Sequence, residues 1–265
     1  MTVQDTKLNG FVDFHTHLDS FKDEEELFSQ LSGFDGVIVA ASMSLSSFHK
    51  IREIRQKSKA LGYKVRIVPT LGVHPANVLS EIKNLSLYKD ALKDSAIIGE
   101  IGMDFCWYKD ATPAQQEEVF RFFLEHCAEH KKYCVIHTKD AEEKICRILE
   151  DYRDAKPIIH WYDGSEDVYK EFILRGYMQT FGCETIRSEH LQKLLLQTPL
   201  NLILAETDGP DSEKWLGGTD DSLYLIKRIY RDLAQVLGMK AEEIQKTINE
   251  NSNRVLNEAG FDFSE

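Results

Sequence analysis

Two histidines stand one residue apart at the end of an apolar run near the N-terminus. Residues 11–19 read FVDFHTHLD, so His15 and His17 follow a pattern typical of a buried strand. Residues i and i+2 of a strand project to the same side, and two imidazoles placed in this way can bind one metal ion. The alternative is a hydrogen-bonded pair of core histidines, and the two residues alone do not decide between these interpretations.

Further ionisable residues end other apolar runs of the chain. They are Glu100 in AIIGEIG, His137 in CVIHT, His160 in PIIHW, and Glu206 and Asp208 in NLILAETD. One buried ionisable residue is usually a satisfied core group, but several gathered together are costly without a cation. Imidazole and carboxylate ligands suit divalent ions. The pattern therefore predicts a metal centre, with Glu206 orienting one of the histidines.

The number of candidate ligands indicates two ions. One tetrahedral ion uses about four ligands, whereas two ions about 3.5–4 Å apart share a bridging carboxylate. Glu100 is the expected bridge. The first ion is assigned to His15, His17, Glu100 and Asp208, and the second to Glu100, His137 and His160. Such mixed ligation accepts Mg, Mn or Zn, so the native metal stays open.

The elements that must position these residues recur along the chain. Apolar, β-branched runs begin near residues 11, 37, 65, 96, 134, 157, 177 and 201, and helical patterns separate them. This order predicts an α/β fold, a (β/α)8 TIM barrel forming a single domain over residues 1–265. An open doubly wound sheet is the alternative, although no GxGxxG follows the first strand. Thr112 is expected to cap the helix predicted in TPAQQEEVFRFFLEHCAEH. Gly238 is expected to separate two helices in the last helical part of the chain, from about residue 222 to 257.

Composition limits the classes of function. The 265-residue chain has a net charge of −12, which argues against a broad, sequence-blind nucleic-acid surface. It does not argue against a small phosphate site where metal ions reverse the local charge. We expect no membrane span, no secretory signal and no obligate protein partner. The five cysteines are scattered and are expected to be buried and reduced, which favours a cytoplasmic location.

Taken together, the motifs resemble those of the TatD family of metal-dependent hydrolases, the TatD-like deoxyribonucleases. The matching stretches run over nearly the whole chain: FVDFHTHLD, LGVHPANV, IIGEIGMDF, PAQQEEVF, VIHTKDA, IIHWYDGS, LAETDGP and NSNRVL. The resemblance implies a TIM barrel of the metal-dependent hydrolase type and a two-metal centre. It also implies hydrolysis of phosphodiester bonds in DNA, often with magnesium, and we expect DNA ends or single strands as substrate.

Several residues around the predicted centre have two readings each. Asp208 is expected to act as general base, the alternative being a ligand only. His74 either orients a phosphate or has a helix-capping or packing role, and Lys139 either meets a phosphate or is a surface lysine. Trp161 either stacks on a base or packs on a helix. Of Trp161 and Tyr162, one is expected to pack against a helix. Asp104, in GMDF, is expected only to hold its loop.

Two other functions remain open. The family commonly has an arginine at position 139 and HCFTGS where this chain has HWYDGS, and residues 209–218 also depart from its pattern. A small-molecule phosphoesterase or an amidohydrolase-type enzyme on the same metal centre is therefore one alternative. A non-catalytic, partner-binding barrel is the other, and the presence of all six candidate ligands argues against it.

Overall fold

Eight parallel strands form one sheet in the order in which they occur along the chain. The computed structural model describes residues 10–219 and 222–261. The strands are β1 Phe11–Thr16, β2 Gly36–Ala40, β3 Arg66–Leu71, β4 Ile97–Gly102, β5 Tyr133–His137, β6 Lys156–Ile159, β7 Met178–Phe181 and β8 Ile203–Ala205. This order confirms the predicted (β/α)8 barrel, and the doubly wound alternative is wrong. The predictions of a single domain over 1–265 and of no secretory signal extend to residues 1–9, which lie outside the described residues.

Helices connect the strands and cover the sheet. The α-helices are α1 Glu24–Gly33, α2 Leu45–Ala60, α3 Val78–Glu81, α4 Lys89–Asp94, α5 Pro113–His130, α6 Glu142–Ile148, α7 Glu166–Leu174, α8 Glu189–Gln197, α9 Ser212–Trp215, α10 Leu225–Leu237 and α11 Ala241–Glu258. Short 3-10 helices span Leu18–Ser20, Pro75–Asn77, Ile82–Tyr88, Leu149–Asp151, Thr185–Arg187 and Leu200–Leu202. Within the described ranges, no helix combines the length and the apolar character needed to cross a bilayer.

Local sequence explains where these elements begin and end. The strands are buried almost along their whole length, as expected of a parallel sheet covered on both faces. At the start of α5, the side chain of Thr112 accepts a hydrogen bond from the N–H of Gln115, and the Gln115 side chain accepts one from the N–H of Thr112. Helix α10 ends at Gly238, whose φ of 64° lies in the left-handed region that glycine tolerates. Both predicted boundaries are confirmed.

The barrel closes at the carboxyl end of β1 against the segment that follows β8. The N–H of Asp208 donates to the carbonyl of His15 at 2.9 Å. Below this contact, the buried carboxylate of Asp13 accepts hydrogen bonds from the N–H of Thr207 at 3.0 Å and from its hydroxyl at 2.5 Å. Closure of the barrel therefore places Asp208 beside the first histidine.

One buried glutamine organises the long loop between β4 and α5. The side-chain amide of Gln116 donates to the carbonyls of Asp104, Tyr108 and Ala111, and its oxygen accepts from the N–H of Asp104. These bonds satisfy backbone groups that the loop would otherwise bury unpaired. The loop that contains Trp107 is thereby held in a defined shape.

All five cysteines are free thiols. Four of them are buried, but Cys106 is only half-buried. The expectation of burial for all five is wrong at this position because Cys106 lies in the loop after β4 rather than in a strand or helix.

Candidate metal centre

Glu100, in β4, lies at the centre of the candidate site. It is buried, and nitrogens of five histidines lie within 3.8 Å of its carboxylate. Its Oε2 faces His15 Nε2 at 3.3 Å and His17 Nε2 at 3.4 Å, while its Oε1 faces His137 Nδ1 at 3.0 Å, His74 Nε2 at 3.6 Å and His160 Nε2 at 3.8 Å. The two oxygens thus address two different sets of imidazoles, which is the arrangement a bridging carboxylate requires.

A glycine directly after the neighbouring strand β3 lets the backbone of Glu100 come this close. A Cβ at Gly72 would lie 2.2 Å from the carbonyl oxygen of Glu100, which is too close for any side chain. The N–H of Glu100 donates to the carbonyl of Ser42, which follows β2, at 3.1 Å. The glycine of LGVHP is therefore required by the position of Glu100.

His15, His17 and Asp208 converge on one point with Glu100. The two Nε2 atoms are 3.3 Å apart, and Asp208 Oδ1 lies 3.5 Å from the first and 3.4 Å from the second. Two imidazole nitrogens about 2.1 Å from one tetrahedral ion lie about 3.4 Å apart. The observed separation fits a shared ion.

The hydrogen bonds around this point also favour a cation. His17 Nδ1 donates to the carbonyl of Ala41 at 3.2 Å, so a neutral ring directs the lone pair of Nε2 at the carboxylates. Glu100 Oε2 is buried and has no hydrogen-bond partner among the described residues. Lone pairs that face each other in a buried site repel unless a cation lies between them, so this donor set fits a divalent metal.

Three residues that follow strands have unusual backbone conformations. Asp140 after β5 has a φ of 53°, Trp161 after β6 a φ of 36°, and Asp208 after β8 a φ of 48°, all in the left-handed region. This region is uncommon for residues other than glycine, and such residues cluster at functional sites.

His137 is held between two carboxylates. Its Nδ1 lies 3.0 Å from Glu100 Oε1, and its Nε2 lies 2.9 Å from Asp104 Oδ2. Burial favours the neutral ring, but the hydrogen bonds to Asp104 and Glu100 raise the pKa of His137 above its ordinary value. The other oxygen of Asp104 accepts from the N–H groups of Cys106 and Trp107. Asp104 holds its loop as expected, and it also orients His137, a contact that the sequence interpretation missed.

Glu206 orients His160. His160 Nδ1 lies 2.7 Å from Glu206 Oε2, which directs Nε2 toward Glu100 at 3.8 Å and Asp208 at 3.9 Å. Burial lowers the pKa of His160, but the carboxylates of Glu206 and Asp208 outweigh it and raise that pKa to about 9. The ring also stacks on that of His15, with centroids 3.8 Å apart. These contacts agree with the expectation that Glu206 orients a histidine.

Glu206→Gln is expected to weaken metal-supported activity by about 10- to 100-fold, because loss of a carboxylate behind a ligand histidine has effects of that size. Part of the loss should be recovered at high metal concentration, since the ring nitrogen that faces Glu100 is retained. The measurement is hydrolysis rate against metal concentration. Glu258→Gln is the matched control, because Glu258 pairs with Lys156 at the start of β6, at the opposite end of the barrel. Equal effects of the two substitutions would contradict the role of Glu206.

His74 lies close to the centre but has the tautomer of a hydrogen-bond donor. Its Nδ1 accepts from the N–H of Ala76 at 3.1 Å, so a neutral ring has its proton on Nε2, the atom that faces Glu100. Burial lowers the pKa of His74 to about 3, which favours the neutral ring. The capping role considered for His74 is present in the structure, whereas its role toward a phosphate stays a prediction.

Lys139 and Trp161 lie at the carboxyl end of the barrel, which forms the mouth of the candidate centre, and each is hydrogen-bonded to another residue of this chain. Lys139 Nζ donates to Asp163 Oδ2 at 2.5 Å. The indole N–H of Trp161 donates to Glu184 Oε2 at 2.8 Å, and the ring is half-buried. Tyr162 is buried and packs on helix α7, so it is the packing member of the aromatic pair. Substrate contacts of Lys139 and Trp161 stay predictions.

Comparison with known proteins decides the family. The model of the family described as TatD related DNase matches residues 12–257. The chain belongs to the TatD family. An uncharacterized metal-dependent hydrolase of Methanocaldococcus jannaschii is 29% identical over 91% of this chain and 95% of its own. The human protein named deoxyribonuclease TATDN3 is 27% identical over 92% of this chain and 93% of its own.

Solved structures agree on the fold of this TatD family member. The crystal structure of a TatD family hydrolase from Entamoeba histolytica superimposes with a TM-score of 0.79 at 20% identity, covering 93% of this chain and 97% of that one. Identity this low supports the barrel and nothing finer. Family membership confirms the resemblance found in the sequence and makes the protein a metal-dependent hydrolase.

Proposed function

We propose that this TatD family member is a deoxyribonuclease that hydrolyses phosphodiester bonds at DNA ends or in single strands with the help of two divalent ions. The observation that supports it most strongly is the carboxylate of Glu100, whose Oε2 faces His15 and His17 and whose Oε1 faces His137 and His160. The human relative is named a deoxyribonuclease, which supports the choice of substrate.

The ions are assigned to two sets of side chains that share Glu100. The first set is His15, His17, Glu100 and Asp208, and the second is Glu100, His137 and His160. His74 is left out because its lone pair is directed at the backbone rather than at Glu100. Mg or Mn is the proposed metal, with Zn as the alternative; when bound, such ions polarise a phosphoryl oxygen and make a bound water more acidic.

Asp208 is the proposed general base. Its Oδ1 faces His15 and His17, whereas its Oδ2 lies 3.9 Å from His160 Nε2. Oδ2 lies farther from the ring nitrogens of His15 and His17 than Oδ1 does, and we propose that Oδ2 accepts the proton of the attacking water.

Two further groups are proposed to position the substrate. The Nε2–H of His74, which points toward the centre, would donate to a phosphate oxygen. Lys139 would contribute a positive charge by exchanging its partner Asp163 for a phosphate.

Removal and return of the metal tests the function. Protein treated with a chelator is expected to leave a single-stranded DNA oligonucleotide intact, and added magnesium or manganese should restore its shortening. A panel of chromogenic phosphoesters and acyl substrates, assayed in parallel, tests the small-molecule alternative. An intact oligonucleotide in the presence of protein with measured, saturated metal content would contradict the deoxyribonuclease proposal.

A further inference from the structure

All three tryptophans of the chain lie around the mouth of the candidate centre. Trp107 lies in the loop between β4 and α5, Trp161 lies two residues beyond β6, and Trp215 ends α9 after β8. Segments that follow the strands of a barrel gather at its carboxyl end, where the candidate ligands also lie. Trp107 and Trp215 lie outside the core, whereas Trp161 is half-buried and packs against it.

The tryptophans lie on both sides of the second group of histidines. Successive ring centroids are 6.4 Å apart for Trp107 and His137, 6.3 Å for His137 and His160, 6.4 Å for His160 and Trp161, and 6.4 Å for Trp161 and Trp215. Each ring of this series is therefore a neighbour of the next, and Trp107 and Trp215 are its first and last members.

The two outer tryptophans present their rings to solvent. Trp107 is 63% exposed and Trp215 is 66% exposed, while every other exposed large hydrophobic residue in the described ranges is a leucine. Trp161 is half-buried and bonded to Glu184, so it supports Trp215 rather than presenting a free face. Large exposed apolar surfaces beside a candidate site indicate binding.

The charges at this mouth favour a ligand bound through rings rather than through many phosphates. Lys139 Nζ lies 5.1 Å from the ring of Trp107, but it also pairs with Asp163. Glu184 adds a further carboxylate beside Trp161. Binding of a long DNA duplex requires a broad basic surface that contacts many phosphates. The net charge of −12 argues against such a surface on this chain.

We infer that Trp107 and Trp215 stack on unpaired bases of single-stranded nucleic acid, one on each side of the phosphodiester group held near Glu100. The inference rests on the proposed function, because bases flank the reacting bond only in a nucleic-acid substrate. Every base has an aromatic face, so stacking of this kind does not depend on the base sequence. It requires unpaired bases, and the paired bases of a duplex are therefore excluded. Trp161 acts as a support, because its ring is the neighbour of the Trp215 ring.

Binding without cleavage tests the proposed stacking surface of Trp107 and Trp215, called the stacking platform. A labelled oligothymidylate of about ten nucleotides is titrated with protein, once in chelator and once in calcium, and anisotropy is followed together with the intrinsic tryptophan fluorescence. We expect binding with quenching of the fluorescence, and binding at least about fivefold weaker for an abasic oligomer of equal length and for the duplex. Absence of binding in both conditions, or equal binding of the abasic or duplex oligomer, overturns the inference.

Substitutions identify the residues responsible. Trp107→Ala and Trp215→Ala should each weaken binding of the oligothymidylate by about fivefold to 150-fold, the range measured for loss of one stacked aromatic residue. Trp107→Phe and Trp215→Phe should stay within about threefold of the wild type. The control is Leu174→Ala, an exposed residue at the end of α7 away from the mouth. Wild-type binding by both alanine variants overturns the inference.

The two proposals fail in different ways. Oligothymidylate that binds and quenches but survives magnesium and manganese contradicts the deoxyribonuclease and leaves the platform standing. Oligonucleotide that is shortened by both alanine variants with an unchanged KM contradicts the platform and leaves the deoxyribonuclease standing.

Discussion

Glu100→Gln should abolish hydrolysis and reduce bound metal at the same time. Glutamine keeps the shape of the side chain but removes the charge that faces histidines on both sides. If the carboxylate bridges two ions, both lose a ligand and the compensation of buried charge. We expect a loss of at least about a thousandfold in rate, which corresponds to about 4 kcal/mol, together with a lower metal content by elemental analysis.

Glu142→Gln is the control for this prediction, since Glu142 lies after β5 at the same end of the barrel but outside the cluster. Thermal unfolding of both variants in chelator checks that the fold is retained. A Glu100→Gln protein that hydrolyses at the wild-type rate would show that Glu100 does not bridge.

Asp208→Asn separates the two roles considered for Asp208. Asparagine retains an oxygen that can ligate a metal, but it cannot accept a proton from water at neutral pH. As general base, Asp208 should contribute about 10²- to 10⁴-fold in rate, and saturating metal should not restore that loss. The measurement is hydrolysis rate at rising metal concentration, with metal content determined on the same sample.

Recovery of the wild-type rate by excess metal would show that Asp208 is a ligand only. Asp211→Asn is the matched control, because Asp211 lies three residues further along the same segment and pairs with the exposed Lys214. It should keep the wild-type rate at every metal concentration.

The barrel and the convergence of the six candidate ligands follow from sequence for one physical reason. Parallel strands covered on both faces need continuous apolar runs, so an ionisable residue at the end of such a run is conspicuous. His15 lies in β1 and His17 directly follows it, and Asp208 follows β8, the strand that closes the barrel against β1. Their proximity was therefore predictable from strand order alone.

Other features depend on rotamers and loops, which sequence spacing does not determine. The contact of Asp104 with His137 requires the loop that Gln116 holds in place. The donor tautomer of His74 is set by one backbone N–H two residues further along. The only available signal for Asp104 was its position four residues after Glu100.

The positions of the exposed tryptophans also could not be predicted from sequence spacing. Trp107 and Trp215 lie in loops whose distance from the histidines is set by the barrel as a whole. In the sequence they stand 108 positions apart and follow no common pattern. Only the folded chain connects them through one series of neighbouring rings.

The most direct test of the two-metal account is a crystal structure of the protein grown with manganese, with the ions located by anomalous scattering. The account predicts two peaks about 3.5–4 Å apart, one between Glu100 Oε2 and the pair His15 and His17, and one between Glu100 Oε1 and the pair His137 and His160. A single peak, or two peaks that do not share Glu100, would contradict it.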